Sequence, residues 1–142
     1  MEKKFIYHID TSTNECIVRD NLSIKIYFSA SPKTITEEIQ HVFNQWLEVV
    51  PKKELAYFVP SPNADTITPK RVNEGTFALL AKKIHPFKRD VFVHVYGPQG
   101  ICPDYSFQVQ LAEEEKVNSI ELCFPSDFLD SFGKTNFITF VK

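Results

Sequence analysis

The chain from residue 22 to residue 28 alternates strictly between apolar and polar side chains. Leu22, Ile24, Ile26 and Phe28 fall on one face, and Ser23, Lys25 and Tyr27 fall on the other. Successive side chains of a β-strand point to opposite faces, so this alternation predicts a strand with one buried face.

The next segment has helical periodicity. Thr34 and Glu37 have the spacing of a capping box, in which each side chain accepts a hydrogen bond from a free backbone N–H at the start of a helix. One apolar stripe follows at helical spacing: Ile35, Ile39, Val42, Phe43, Trp46, Leu47 and Val50. We therefore predict an amphipathic helix that begins at Thr34 and ends before Pro51.

A short strand and a second helix are predicted next. Residues 55–59 have strand character, and the loop at residues 60–65 is rich in turn-forming residues. Thr68 and Pro69 have the residue types of a helix cap and first helical position, and His85-Pro86 ends the segment. The side chains expected to face inward are Phe77, Leu80, Ala81 and Ile84.

Three further alternating segments, around residues 91–96, 105–111 and 120–124, are predicted to pair as an antiparallel meander. Residues 97–103 form the first connection, and the charged residues 113–116 form the tip of the second. The resulting fold class is α+β, an antiparallel sheet with two helices packed on one face. The 142 residues fit a single domain, 1–142.

Charge and hydropathy narrow the class of partner. The formal net charge of −2 gives no basic footprint for direct binding to nucleic acid. The sequence has neither a signal-peptide core nor a long apolar run for a membrane span, so we expect a cytoplasmic protein with no membrane contact. Cys16, Cys102 and Cys123 are odd in number and widely spaced. This argues against a framework of disulfide bonds and fits a protein of a reducing compartment.

Motifs for catalysis are missing from the sequence. It has no phosphate-binding glycine loop, no HExxH and no CxxC, and its four glycines offer little for a cofactor cradle. We expect no cofactor, no metal and no catalytic residue. His8 and Asp10 would share a strand face, which fits a solvated terminal strand better than a catalytic pair. The enzymatic alternative is a small hydrolase or transferase that uses His94 with Glu121 or Cys123.

The surface carries the main functional prediction. If the strands pair as expected, one set of side chains shares the sheet face away from the helices: Lys25, Tyr27, Phe92, His94, Tyr96, Gln108, Gln110, Glu121 and Cys123. Such a mixture of aromatic and hydrogen-bonding groups is typical of interface cores. Either a partner protein binds this face, or the face is covered by a missing segment of the chain or by a second copy, as in a self-assembling subunit that forms a homodimer. The run Glu113, Glu114 and Glu115 is a solvated tip or a mimic of phosphate charge in a nuclease cleft.

Several segments resemble a bacterial family of type VI secretion immunity proteins. They are the strand 21–28, the helix around 42–47, residues 76–80, the strand 105–109 and residues 119–129, where a strand runs into Phe124-Pro125 with Phe128-Leu129 after it. The resemblance spans roughly residues 20 to 130.

The resemblance implies a non-enzymatic antidote that binds a cognate effector toxin, in several cases a nuclease, and occludes its active site or substrate path. Family members are usually longer, so the chain is expected to be a short variant or the N-terminal portion of a longer immunity protein. The strand-like run at residues 137–142 lies where the family usually continues.

Overall fold

The computed structural model describes residues 7–9, 11–13, 16–59, 68–98, 103–114 and 117–133. The strands in these ranges are β1 (Tyr7–Ile9), β2 (Cys16–Arg19), β3 (Asn21–Phe28), β4 (Tyr57–Val59), β5 (Lys70–Arg71), β6 (Val91–Tyr96), β7 (Ser106–Leu111) and β8 (Asn118–Pro125). The helices are α1 (Pro32–Val49), α2 (Thr76–Ile84) and α3 (Phe128–Phe132), with a 3-10 turn at Lys52–Glu54.

Six strands form one antiparallel sheet in the order β3-β8-β7-β6-β4-β5. Strands β1 and β2 pair separately. The predicted meander β6-β7-β8 is confirmed, and β3 returns to pair with β8 at one edge. The protein therefore has an α+β fold, as predicted.

The hydrophobic core lies between the helices and one face of this sheet. Helix α1 packs over β7, and α2 packs over β6. Phe107 from β7 lies at the centre, with its ring centroid 4.9 Å from that of Phe43 and 5.5 Å from that of Trp46. All three side chains are fully buried. Burial of aromatic side chains on this scale supplies much of the driving force for folding.

Helix α1 begins earlier than its sequence pattern predicts, at Pro32 rather than Thr34. The predicted capping box is wrong, because Thr34 lies inside the first turn and its hydroxyl donates a 2.9 Å hydrogen bond to the carbonyl of Ser31. Proline suits the first helical position, since its φ is already helical and its missing N–H would be unpaired there.

Helix α2 begins later than predicted, at Thr76 rather than near Thr68. Lys70 and Arg71 form β5, where they pair with β4. The turn before α2 is held by Asn73, whose backbone N–H donates to the Thr76 hydroxyl at 2.9 Å. Gly75 therefore precedes the helix and does not weaken its interior.

Helix α3 was not expected from the sequence. Its first residue, Phe128, stacks on Phe124 of β8 with ring centroids 4.5 Å apart, which fastens α3 to the core. Residues 60–65, Asp10, most of the 97–103 connection and residues 137–142 lie outside the described ranges. None of the helices in the described part of the chain is long and apolar enough to cross a bilayer.

Candidate functional site

Strand register sorts the side chains on the sheet face opposite the helices, here called the second face, into three cross-strand rows. The first row runs Arg71, Tyr57, Tyr96, Ser106, Cys123 and Ser23. The second runs Val59, His94, Gln108, Glu121 and Lys25, and the third runs Phe92, Gln110, Ser119 and Tyr27. Residues directly opposite one another share a face, so the sheet brings together every residue that the sequence assigned to this surface.

A continuous line of rings follows one end of the second face, and we call it the aromatic ladder. Phe92 and His94 have ring centroids 6.3 Å apart, His94 and Tyr96 are 4.6 Å apart, and Tyr96 and Tyr57 are 5.9 Å apart. The Arg71 guanidinium lies 5.8 Å from the Tyr57 ring centroid and ends the line with a cation–π contact.

Tyr57 and Arg71 were missed by sequence reasoning. The segment around Tyr57 was correctly predicted as a strand, but its neighbour in the sheet was not. Tyr57 reaches the ladder because β4 pairs with β6, and Arg71 reaches it because β5 pairs with β4. Both pairings join segments distant in sequence, and no local pattern encodes them.

Burial sets the protonation of the ladder. Desolvation is the main effect and lowers the pKa of His94 below its usual 6.5, and the charge of Glu121 acts in the opposite direction. Burial also raises the pKa of Tyr96, and Tyr57 adds to that effect. At neutral pH the ladder therefore presents a neutral imidazole and a protonated phenol. Both can hydrogen-bond without the cost of burying a charge.

The other end of the second face is polar and more exposed. The Lys25 ammonium lies 3.1 Å from the Glu121 carboxylate, and the Ser23 hydroxyl donates to the same carboxylate at 3.4 Å. The hydrogen bond to Glu121 is the main cause that raises the pKa of Lys25. Beside it, Tyr27 is 62% exposed, so an aromatic ring lies open at this edge of the sheet.

The groups named in the enzymatic alternative are spread over the face. His94 and Glu121 are separated by Gln108 of β7, which places their Cα atoms about 10 Å apart at the usual strand spacing. The Glu121 carboxylate bonds Ser23 and Lys25, and His94 stacks between Phe92 and Tyr96. Cys123 is buried one row away. Across the described ranges, no cluster of three His, Cys, Asp or Glu side chains is placed to hold a metal ion.

The described acidic residues of the connection between β7 and β8, Glu113 and Glu114, are separate from the second face. Glu113 pairs with Lys33 at the start of α1, on the side of the sheet that the helices cover. Its backbone N–H donates to the Asp90 carboxylate at 3.1 Å. Glu114 is exposed, and Glu115 lies outside the described residues. The two surfaces that the sequence offered for binding are therefore distinct.

The chain also has an open depression of about 530 Å³ on its helix side, lined by Asn44, Leu47, Glu48, Val50 and Lys52. None of the residues predicted from the sequence to bind a partner lines this depression.

Comparison with known proteins finds a similar structure but no similar sequence. No family model and no curated protein matches the sequence. The solved structure of the Pseudomonas aeruginosa T6SS protein PA0821 is similar, with a TM-score of 0.65 and 9% sequence identity, where T6SS denotes the type VI secretion system. The match covers 87% of this chain and 37% of that protein. This chain therefore shares a fold with part of a T6SS protein and spans well under half of its length.

Proposed function

We propose that this protein is an immunity protein that binds a cognate type VI secretion effector in the cytoplasm and neutralises it, acting by binding rather than turnover. The observation that carries the proposal is the aromatic ladder, which lies beside hydrogen-bonding side chains on the sheet face opposite the helices. The fold shared with a T6SS protein supports the biological setting.

The ladder has the chemistry of a binding hot spot. Tyrosine and arginine are enriched among the residues that dominate binding energy, and ladder members Tyr57, Tyr96 and Arg71 are of these types. Their strands pair with one another in a fixed register, so a partner would meet rings that are already positioned. Preorganisation of this kind reduces the entropy lost on association.

An antidote must bind its toxin more tightly than the toxin holds its substrate. We expect a dissociation constant in the nanomolar range or below, which corresponds to a binding free energy of about −12 kcal/mol or more favourable. In this scheme the ladder slows dissociation, and the exposed groups Lys25, Tyr27 and Gln110 at the rim fix orientation and specificity.

The proposed target is a nuclease, whose active site or substrate path the immunity protein occludes. Nuclease clefts are basic because they bind phosphate, and this chain carries a net charge of −2. The exposed Glu114, with Glu115 next to it in sequence, offers acidic groups to the wall of such a cleft. Glu113 is already paired with Lys33 and would contribute less.

The test begins with a search of the adjacent reading frame for a secreted toxin, and that candidate is then purified. The two purified proteins are mixed, and complex formation and residual toxin activity are measured on DNA and RNA substrates. We expect a stable complex and loss of activity at an equimolar ratio. A toxin that stays fully active in the presence of excess immunity protein would refute the proposal. Inhibition of a toxin that cleaves neither nucleic acid would keep the immunity function and remove the nuclease target.

A further inference from the structure

The charges of the second face are not balanced. Of the side chains in its three rows, those that carry a formal charge at neutral pH are Lys25, Glu121 and Arg71. Lys25 and Glu121 neutralise each other, since the ammonium lies 3.1 Å from the carboxylate. Burial lowers the pKa of His94, so the imidazole adds no charge at neutral pH. The rows are therefore left with one unbalanced positive charge, at Arg71.

Arg71 is held in place without being neutralised. Its guanidinium lies 5.8 Å from the ring centroid of Tyr57, which lies 5.9 Å from that of Tyr96. Arg71 is exposed, and no carboxylate of the described residues forms an ion pair with it. An arginine beside an aromatic ring keeps a planar fork of N–H donors, which matches a carboxylate through two parallel hydrogen bonds. The guanidinium is therefore positioned for an acidic group that the described residues do not supply.

A partner that covers the aromatic ladder also removes water from this guanidinium. A charge that loses its hydration without gaining a partner of opposite sign is strongly unfavourable, and a cation opposite it would add repulsion. A carboxylate on the partner removes this penalty and forms charge-assisted hydrogen bonds. Charge complementarity at the Arg71 end of the ladder therefore selects an acidic group.

We propose that the toxin surface that covers the aromatic ladder carries an aspartate or glutamate that pairs with Arg71, and that this pair determines which toxin is accepted. The inference rests on the proposed immunity function and names the chemistry of the partner at the same site. A toxin with an apolar or basic group at this position is rejected, because the guanidinium is then buried unpaired. Glu113 and Glu114 lie away from the second face, so the basic cleft expected for them is a different part of the toxin.

A single unbalanced cation suits a protein carboxylate better than the phosphates of a nucleic acid. Nucleic-acid binding needs several cations along one face, because each phosphate contact adds to the affinity. The neighbouring cation on β5, Lys70, pairs with the core residue Phe58 and therefore lies on the helix side. There burial, and then the charges of Arg89 and Lys70, lower the pKa of Lys83 on α2. These cations lie off the ladder and add a long-range positive field that attracts an acidic partner.

Lys70 provides the matched control, because it has the same charge on the same strand and faces the opposite side of the sheet. The rates of binding to the immobilised candidate toxin are measured by surface plasmon resonance, and a circular dichroism melt of each variant confirms folding. Arg71→Gln should raise the dissociation constant at least about thirtyfold, mainly through faster dissociation. Arg71→Lys keeps the charge without the planar fork, so its dissociation constant should lie between the two. Lys70→Gln should leave the dissociation rate unchanged and affect only the association rate.

A double-mutant cycle identifies the partner carboxylate. The exposed aspartates and glutamates of the toxin are replaced one at a time by asparagine and glutamine, and each toxin variant is measured with the wild-type chain and with Arg71→Gln. At one position the loss of affinity seen with the wild-type chain should disappear with Arg71→Gln, because the pair is already broken. If no toxin carboxylate shows this coupling, the proposed pairing is wrong.

The outcomes separate this inference from the proposed function. A toxin that is bound and inhibited equally well by Arg71→Gln would overturn the carboxylate pairing and keep the immunity function. Equal losses in Arg71→Gln and Lys70→Gln would also overturn it, because Arg71 would then act only as a distant charge. Binding of the wild-type chain to a single-stranded DNA oligonucleotide that Arg71→Gln abolishes would assign Arg71 to phosphate instead. If the wild-type chain forms no complex with the toxin, the immunity function itself is refuted, and the pairing with it.

Discussion

His94 and Tyr96 lie two residues apart on β6, and their ring centroids are separated by 4.6 Å at an interplanar angle of 33°. Alternate residues of a strand point to the same face, so this contact follows directly from the backbone. It forms the centre of the aromatic ladder, and it places a titratable imidazole in partly desolvated surroundings. Protonation of the His94 imidazole is therefore coupled to the stability of the fold.

Acid is expected to destabilise the protein through His94. Burial lowers the folded-state pKa of His94 below the unfolded value of 6.5, so the unfolded state binds the proton first as the pH falls. The resulting loss of stability begins near pH 6.5 and is complete below the folded-state pKa. His94→Gln removes this titration, so its free energy of unfolding should fall less between about pH 7.5 and about pH 5.5.

Urea unfolding at the two pH values measures this effect. His41→Gln is the matched control, because His41 is exposed on α1. The difference between wild type and His94→Gln must exceed the difference that His41→Gln produces. If the free energy of unfolding fell by the same amount between the two pH values in all three proteins, His94 would not be the group responsible.

Truncation of the ladder is expected to weaken toxin binding. Tyr96→Ala and Phe92→Ala should each cost at least about 2 kcal/mol, which is about a thirtyfold rise in the dissociation constant. Most of the change should be in the dissociation rate, measured by surface plasmon resonance. Leu79→Ala, on the helix side, should leave the rate unchanged. Wild-type dissociation rates in both ladder variants would remove the second face as the toxin interface.

The sequence predicted the strands that have a regular apolar alternation. Val91, Val93 and Val95 are buried while Phe92 and His94 between them are partly exposed, as the period of two requires. The pattern succeeds here because a single buried face forces every second side chain into the core. Combined with the predicted pairing of the strands, the same period of two places the residues of the second face on one side of the sheet.

Local capping signals were less reliable than hydrophobic periodicity. Thr68 and Pro69 have the residue types that start a helix, yet Lys70 pairs with Phe58 in the sheet and α2 begins only at Thr76. A cap contributes about 1 kcal/mol, so the packing of distant segments outweighs it. The members of the ladder contributed by β4 and β5 could not be predicted for the same reason, since their positions depend on long-range pairing.

Asn118 is expected to stabilise the connection between β7 and β8. It is 2% exposed, and its side-chain oxygen accepts a 2.8 Å hydrogen bond from the Ala112 N–H. Its amide nitrogen reaches the Ala30 carbonyl at 3.5 Å. Asn118→Ala leaves the Ala112 N–H unpaired in partly buried surroundings, which should cost about 1–3 kcal/mol of unfolding free energy.

Chemical denaturation measures this loss. Asn44→Ala provides the comparison, since Asn44 is exposed on α1 and should change stability by less than about 0.5 kcal/mol. If both variants had the same stability, the hydrogen bond to Ala112 would contribute nothing to the hairpin.

Trp46 combines complete burial with an unpaired polar group. Its side chain is 0% exposed and packs against Phe43 and Phe107, and its indole N–H has no hydrogen-bond acceptor among the described residues. A buried donor without a partner costs about 1–3 kcal/mol. Trp46→Phe removes that donor, and this gain offsets part of the cost of the smaller ring.

We therefore expect Trp46→Phe to lose less than about 2 kcal/mol of unfolding free energy, and Trp46→Ala to lose about 3–5 kcal/mol because it also leaves a large cavity. Urea unfolding of both variants gives the comparison. Phe43→Leu, which shrinks the adjacent ring without removing a polar group, is the control for cavity cost. A loss in Trp46→Phe as large as that in Trp46→Ala would contradict this expectation, because the phenyl ring retains most of the packing against Phe43 and Phe107 and the deleted donor has no partner among the described residues.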